Sequence, residues 1–385
     1  MAGGAQFLDF AEARDQAKSF LPKALFDYID RGTEAETAIA DIHQGFASRR
    51  IIPRVLRPVS APDLSVEYLG GIHNCPFVIA PTALAGMVRH DGEVAMALAA
   101  RQAGLPFVVA TQSSTSIEQI SANALGSELW FQLYVWQDRN ETWKLLERAR
   151  MCGVETLVLT VDTPASPKKV HNRRNGFGVP LEPSATLAID LMLHPRWSLG
   201  VMGRYLMRKG FPSYAHYPGE VSTAISGSIR DPRFALDMVL DLNFLRELRG
   251  RWPHKMLIKG ILSADDAIEV FKLGCDGVIV SAHGGRNLDS AARPLDVLPK
   301  IRAAVGPGKV LFADSGVRRG SDAAKLLAAG ADGVFLGRAP LYGLAAGGMP
   351  GVVQMIEQFR EELSLFLAFA GAENIAALGQ AEWIG

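Results

Sequence analysis

VLFADSGVRRGSDAAKLLAAGADGVFLGR, residues 310–338, decides the fold. Two short apolar runs, Val310 to Ser315 and Gly333 to Gly337, bracket a helical pattern from Ser321 to Ala329 that stops at Gly330. Near-continuous apolar strands need both faces covered, as in a parallel sheet. Parallel neighbours in turn need a crossover between them, usually a helix. The stretch therefore reads as one strand–helix–strand unit.

The same unit recurs upstream. Apolar runs occupy Phe77 to Ala80, Phe107 to Ala110, Leu129 to Val135, Thr156 to Asp162, Met256 to Gly260 and Gly277 to Ser281. Glu93 to Ala103 is a helical pattern ending at Gly104. Ser263 to Leu273 opens with a serine cap, carries acids in its first turn and ends at Gly274. Eight strands alternating with helices predict an α/β fold, a (β/α)8 TIM barrel. A doubly wound sheet would need a Gly-x-Gly-x-x-Gly turn after its first strand, and the chain has none. Gly308-Lys309 lacks the spacing and the Ser/Thr of a phosphate-binding Walker loop.

Two segments stand outside the repeat. Residues 1–76 read as an N-terminal helical extension, with a second helix starting at Leu21-Pro22-Lys23 and ending near Gly32. Residues 77–385 read as the barrel, with a long insertion at 163–250 between strands four and five. Inside it, residues 188–209 mix Trp197, Leu199, Met202, Leu206 and Met207 with Arg196, Arg204, Arg208 and Lys209. That pattern fits a helix packed on the barrel or on a neighbouring subunit, and equally an interfacial membrane anchor.

Composition narrows the function. Lys+Arg and Asp+Glu number 40 each, so a basic surface for nucleic acid is not expected. Hydrophobic residues at 48% supply a large core and exclude disorder. Cys75, Cys152 and Cys275 are isolated, without metal-ligand spacing, which points to a reducing compartment and no metal site. The start MAGGAQFLDFAEARDQ has no signal-peptide pattern, and no apolar run reaches the ~18 residues of a spanning helix. These features predict a cytoplasmic protein, peripheral on the inner face of the membrane if 188–209 is an anchor.

A barrel of this kind builds its active site at the C-terminal ends of its strands. There the chain offers Thr82, Thr111 with Ser113, Gln132 with Tyr134, Thr160 with Asp162, Lys259, Ser281 with His283, Asp314, and Gly337 with Arg338. A lone strand-end Ser or Thr is usually a helix cap, but eight strands converge here on one rim. His283 lies in Ser281-Ala282-His283-Gly284-Gly285-Arg286, a base beside a residue that grips carboxylates bidentately. Asp162 can orient the imidazole. The loops after strands seven and eight, with Arg318 and Arg338, are where such barrels hold phosphate.

Together the stretches LPKALFDYIDRG, APTALAGM, FQLYV, LTVDTP, IKGILSADDA, SAHGGRNLD, DSGVRRGSD and FLGRA resemble the FMN-dependent α-hydroxy acid dehydrogenases and oxidases, in order and over nearly the whole chain. MLHPRWSL and WPHKMLIKG look most like the membrane-associated bacterial mandelate dehydrogenases. The resemblance implies FMN as cofactor, a homotetramer, and oxidation of an L-2-hydroxy acid to the keto acid, with electrons passed to quinone or O2. It implies His283 as the base, paired with Asp162. Arg286 and Tyr28 would bind the substrate carboxylate, and Tyr134 the hydroxyl region. Lys259 would lie beside the flavin N1 and C2 carbonyl. Pro81, Thr82, Ala83, Ser113, Gln132, Thr160 and Ser281 would line FMN. Asp314 would hold the ribityl chain, and Ser315, Gly316, Arg318, Gly337 and Arg338 the phosphate region.

Two positions depart from the family pattern. Lys169 stands where the family has an arginine seven residues after the Asp of its Thr-Val-Asp motif, so charge is kept but the bidentate fork is lost unless Arg173 reaches in. Ala282 stands where the family has Asn before the histidine, removing a hydrogen-bonding group beside the base. These departures leave two alternatives beside the main expectation. One is a relative acting on an unusual, larger hydroxy acid, and the other is a flavin-binding protein with little hydroxy-acid turnover.

Overall fold

The eight apolar runs close into one parallel barrel in the computed structural model, which describes residues 7–175, 185–208, 210–218 and 231–384. The strands are β1 (Phe77–Ile79), β2 (Phe107–Ala110), β3 (Leu129–Leu133), β4 (Thr156–Thr160), β5 (Lys255–Ile261), β6 (Gly277–Val280), β7 (Val310–Ala313) and β8 (Gly333–Leu336). Each pairs with its neighbour in sequence, and β8 closes on β1 with Val334 opposite Phe77 and Leu336 opposite Ile79.

Alternation of side chains explains why these strands read as unbroken apolar runs. Val78, Val108, Trp130, Val158, Leu257, Ile279, Phe312 and Phe335, one from each strand, fill the barrel interior. Their neighbours, such as Phe77, Val109, Phe131, Leu157 and Ile258, face outward under the helices. The Phe312 and Phe335 rings meet edge to face at 5.2 Å, with Trp130 5.9 Å from Phe312. A short hairpin, Val66–Tyr68 with Gly71–His73, closes the floor, and its buried Tyr68 ring lies 4.9 Å from Phe312.

The crossover helices follow the expected signals. Gly92–Ala103 stops at Gly104, and Ala264–Lys272 is capped by the Ser263 hydroxyl, which accepts from Asp266 N. Helices Phe10–Phe20, Lys23–Asp30 and Thr37–Ser48 precede the hairpin, with Pro22 one position outside the second helix as its cap. They bring Tyr28, Asp30 and His43 to the C-terminal rim. Arg50–Ile51 pairs antiparallel with Trp383–Ile384.

The connection from β4 to β5 holds the segment read as a packed helix or a membrane anchor. Helix Ala185–Leu193 is followed by Pro195–Trp197, a wide i→i+5 turn at Ser198–Gly203, and Arg204–Arg208. Trp197 is buried and donates its Nε1 to Met87 O at 2.7 Å, and Met202 packs on the core. Neither is therefore offered to lipid, contrary to their place in the anchor reading. Trp197, Val201 and Tyr205 fall four apart on one inward face. Ile189, Met192, Leu193, Leu199, Leu206 and Met207 stay exposed beside Arg196, Arg204 and Arg208. No helix among the described residues is long and apolar enough to cross a membrane. Gly176, Phe177, Lys209 and the Arg173 side chain lie outside what is described.

Candidate active site

A cavity of about 350 Å³ opens at the C-terminal ends of the strands. Tyr28, Pro81, Thr82, Ala83, Gln132, Tyr134, Thr160, Lys169, Lys259 and His283 line it, as do Arg286, Asp314, Ser315, Gly316, Arg318, Gly337 and Arg338. Four of the residues singled out from sequence stand behind this wall, among them Thr111, which is buried and donates its hydroxyl to Gln132 O at 2.7 Å. Asp162 acts on His283, and Ser281 Oγ accepts from Lys259 Nζ at 2.8 Å and from His283 N at 3.0 Å. Ser113 is buried, and its hydroxyl is spent on Thr115 O at 2.7 Å, which makes it a loop brace and not part of the wall.

His283 follows β6 with φ of 52°, a left-handed conformation that a bulky residue adopts only when its surroundings hold it. The hold comes from hydroxyls. Ser281 accepts from His283 N, and Ser315 Oγ accepts from Ala282 N at 3.1 Å and Gly284 N at 3.0 Å. The backbone beside the base is thus tied down without an asparagine at 282. His283 Nδ1 lies 2.9 Å from Asp162 Oδ1. Burial pushes the Asp162 carboxyl up, but His283, Lys259 and Thr163 outweigh it and hold it below the usual carboxylate range. An ionised carboxylate can only accept, so Nδ1 donates to Asp162 and Nε2 is the ring nitrogen left for the cavity. Tyr134 shares this wall, its phenol kept protonated by burial.

Opposite charge is scarce a few ångströms away. Arg286 is half-buried and spends one guanidinium nitrogen on Ile29 O and Arg31 O, at 3.1 and 3.0 Å. Lys169 Nζ lies 5.0 Å and Arg286 Cζ 5.3 Å from the centroid of the Tyr28 ring. Burial and the Arg286 charge lower Lys169 to about 7. Neither cation has a carboxylate partner among the described residues. Two half-buried cations on one tyrosine can receive a carboxylate.

The remaining wall fits a flavin mononucleotide. Lys259 Nζ is fixed between Ser281 Oγ and Asp314 Oδ2, each 2.8 Å away, and Gln132 Nε2 donates to Thr160 Oγ1 at 3.1 Å. Thr82 Oγ1 is buried in the wall without a hydrogen-bond partner among the described residues, so it is free for a polar ligand. At the other end Arg338 donates to the carbonyls of Ile29 and Gly284, both at 3.0 Å, and neither its guanidinium nor that of Arg318 forms a salt bridge among the described residues. Burial together with Arg318 and Arg338 pushes His43 down to about 4. A field that positive, at the start of the helix Arg338–Ala370, suits a phosphate dianion.

Several wall residues escape a strand-end reading: Asp30, His43, Gln112, Leu236, Met238 and Tyr342. Asp30 is two residues beyond Tyr28. It pairs with Arg14 at 2.6 Å and accepts from Tyr342 Oη at 2.7 Å, knitting the N-terminal helices to the last one. Nothing local marks His43, which reaches the site from the helix Thr37–Ser48.

Comparisons with known proteins agree with this geometry. The model of a family described as FMN-dependent dehydrogenase matches residues 17–384. The chain is 39% identical over 358 residues to (S)-mandelate dehydrogenase of Pseudomonas putida, covering 93% of this chain and 89% of that protein. It is 36% identical to L-lactate dehydrogenase of Serratia proteamaculans (strain 568), covering 94% of each. Among solved structures, a monotopic membrane protein (S)-mandelate dehydrogenase superposes with a TM-score of 0.90 at 38% identity, over 97% of this chain and 98% of that one. A mandelate oxidase superposes with a TM-score of 0.82 at 29% identity, over 98% of this chain and 100% of that one.

Proposed function

The chain belongs to the family of FMN-dependent dehydrogenases and oxidises a 2-hydroxy acid with FMN as its cofactor, and from that premise we propose that it converts an L-2-hydroxy acid, mandelate-like or lactate-like, to the keto acid with His283 as base. The observation that carries this reading is the His283–Asp162 pair, at 2.9 Å, in the same cavity as the Lys169 and Arg286 cations. FMN, when bound, would supply the acceptor for the two electrons that leave the substrate. Lys169, Arg286 and Tyr28 bind the carboxylate and so fix the α-carbon. His283 Nε2 takes the hydroxyl proton as the α-hydrogen leaves with the electron pair, and Asp162 holds the ring and stabilises the charge it gains. Tyr134, protonated, donates to the substrate oxygen. Lys259, fixed by Ser281 and Asp314, would place a cation against the flavin's pyrimidine edge. Arg318 and Arg338 would hold the phosphate.

The acceptor in this reading is a membrane quinone. Support comes from the exposed apolar side chains between Ile189 and Phe211 with arginines among them, and from the monotopic relative. The protein then sits peripherally on the cytoplasmic face of the membrane, and the homotetramer implied by the family resemblance is checked by light scattering.

An anaerobic visible spectrum of the holoenzyme, titrated with (S)-mandelate, L-lactate and glycolate, tests the reaction. At least one acid is expected to bleach the flavin band. Bleaching by none of these or of bulkier hydroxy acids would leave a flavin-binding protein without hydroxy-acid turnover.

A further inference from the structure

The end of the long connection returns over the site as a strap. Residues 234–238 run antiparallel to the segment leaving β3. Trp136 bridges Leu236, Gln137 N donates to Ala235 O at 2.8 Å, and Asp237 N donates to Val135 O at 2.7 Å. That register sets Met238 opposite Tyr134.

Pairing puts Leu236 and Met238 on one side of the strap and Asp237 on the other. Phe234 is buried, Leu236 and Met238 are half-buried, and Ala235 and Val239 are exposed. Phe234, in the turn Pro232–Phe234, anchors the start of the strap, edge to face with Trp136 at 5.2 Å. Asp237 is half-buried against Arg139, 3.5 Å away, outside the cavity lining, and accepts from Val239 N at 3.2 Å. A strap held this way presents Leu236 and Met238 to the cavity as fixed apolar groups.

The α-carbon of a 2-hydroxy acid bears a carboxylate, a hydroxyl, a hydrogen and one substituent. Lys169 and Arg286 take the carboxylate, His283 and Tyr134 serve the hydroxyl, and the hydrogen must face the electron acceptor. The substituent is left for the wall beside Tyr134. An apolar wall gains nothing from a hydrogen atom there and rejects a charge by desolvation. A methionine thioether also adapts to a ring and makes favourable sulfur–aromatic contacts.

We propose that Met238, with Leu236 beside it, is the specificity-determining wall for the α-substituent and selects bulky apolar groups, aryl or branched alkyl, over hydrogen or charged ones. This rests on the reading of the cavity as a 2-hydroxy acid site.

The test uses the holoenzyme with glycolate, L-lactate, L-2-hydroxyisocaproate and (S)-mandelate, in the wild type, Met238→Ala and Met238→Leu. Dissociation constants for phenylglyoxylate and glyoxylate, read from the shift of the flavin spectrum, give a second measure that needs no turnover. Met238→Ala is expected to lower the mandelate-to-glycolate ratio of kcat/KM by about tenfold or more, through KM. The ratio of the two keto-acid affinities should fall with it. Met238→Leu, close in volume, should recover most of both. Met238→Gln, which keeps the length and adds polarity, should also lower both ratios and replaces the alanine variant if that one loses FMN. Ratios that move less than about twofold in FMN-loaded protein overturn the wall. If no hydroxy acid reduces the wild-type flavin, the parent reading fails, and the keto-acid ratio still decides Met238.

Discussion

The Lys169 ammonium stands 5.0 Å from the centroid of the Tyr28 ring, on which Arg286 also bears. Burial and that second cation lower Lys169 to about 7, so near neutrality it is half charged. A bound carboxylate favours the charged form and raises this value. Affinity for an anionic substrate is therefore full below about pH 7 and falls as pH rises above it, by up to tenfold per unit. Measured as KM, or as the dissociation constant of a keto acid, between pH 6 and 9, the loss is expected in the wild type. In Lys169→Arg the charge persists, and the profile should flatten. A flat wild-type profile would take Lys169 out of the carboxylate site.

Removing the base tests the acid–base pair. His283→Ala is expected to keep FMN, because the ring contacts Asp162 and not the phosphate end. Flavin reduction by substrate should slow by roughly 10²–10⁴-fold in anaerobic stopped flow. Asp162→Asn, which keeps shape but loses the charge and can turn an N–H donor towards Nδ1, should slow it in the same direction. Unchanged rates in His283→Ala would move the base elsewhere.

The surface around Arg204 carries the membrane prediction. Leu199, Leu206 and Met207 are exposed at 74%, 52% and 80%, and none of them is needed to hold the buried Trp197, Val201 and Tyr205. Replacing all three with Gln should shift the protein from membrane pellet to supernatant. At roughly 1 kcal/mol or more for each of the three side chains, the partition changes by about 100-fold or more. Wild-type protein found wholly in the soluble fraction of a detergent-free lysate would end the anchor reading.

The barrel was legible because doubly buried strands leave continuous apolar runs, and Gly104 and Gly330 mark where helices stop. The strand-end residues were legible for the same reason, since each run tells where its polar terminus must lie. The strap was harder to see. Phe234, Leu236 and Met238 do alternate, but Ala235 and Val239 between and beyond them are apolar too, and only pairing with Trp136 selects the inward set. Trp197 misleads in sequence because a wide turn interrupts the helical period directly after it. His43 carries no local signal at all. Its role is visible only once Arg318 and Arg338 arrive beside it from the far end of the chain.

Two glycines separate chemistry from cofactor binding. Gly260 has φ of 108°, and a Cβ there would stand 2.5 Å from Asp162 Cβ and 2.6 Å from its Cγ. Gly316 has φ of 82°, and a Cβ there would stand 2.3 Å from Ile42 Cγ2, at the phosphate end. Either alanine substitution strains the backbone by about 1–3 kcal/mol, but the displaced neighbours differ. Gly260→Ala pushes Asp162, and through it the imidazole, while no catalytic group is lost. A displacement near 1 Å is worth about 10²-fold in rate, so kcat should fall while FMN stays bound. Gly316→Ala pushes the helix Thr37–Ser48 away from the Arg318 loop, so FMN should dissociate more readily, with reduction of the flavin that remains bound changed far less. Stopped-flow reduction and the FMN dissociation constant, measured on both variants, separate the two effects. If Gly260→Ala weakens FMN as much as Gly316→Ala and leaves the reduction rate alone, Asp162 does not position the base.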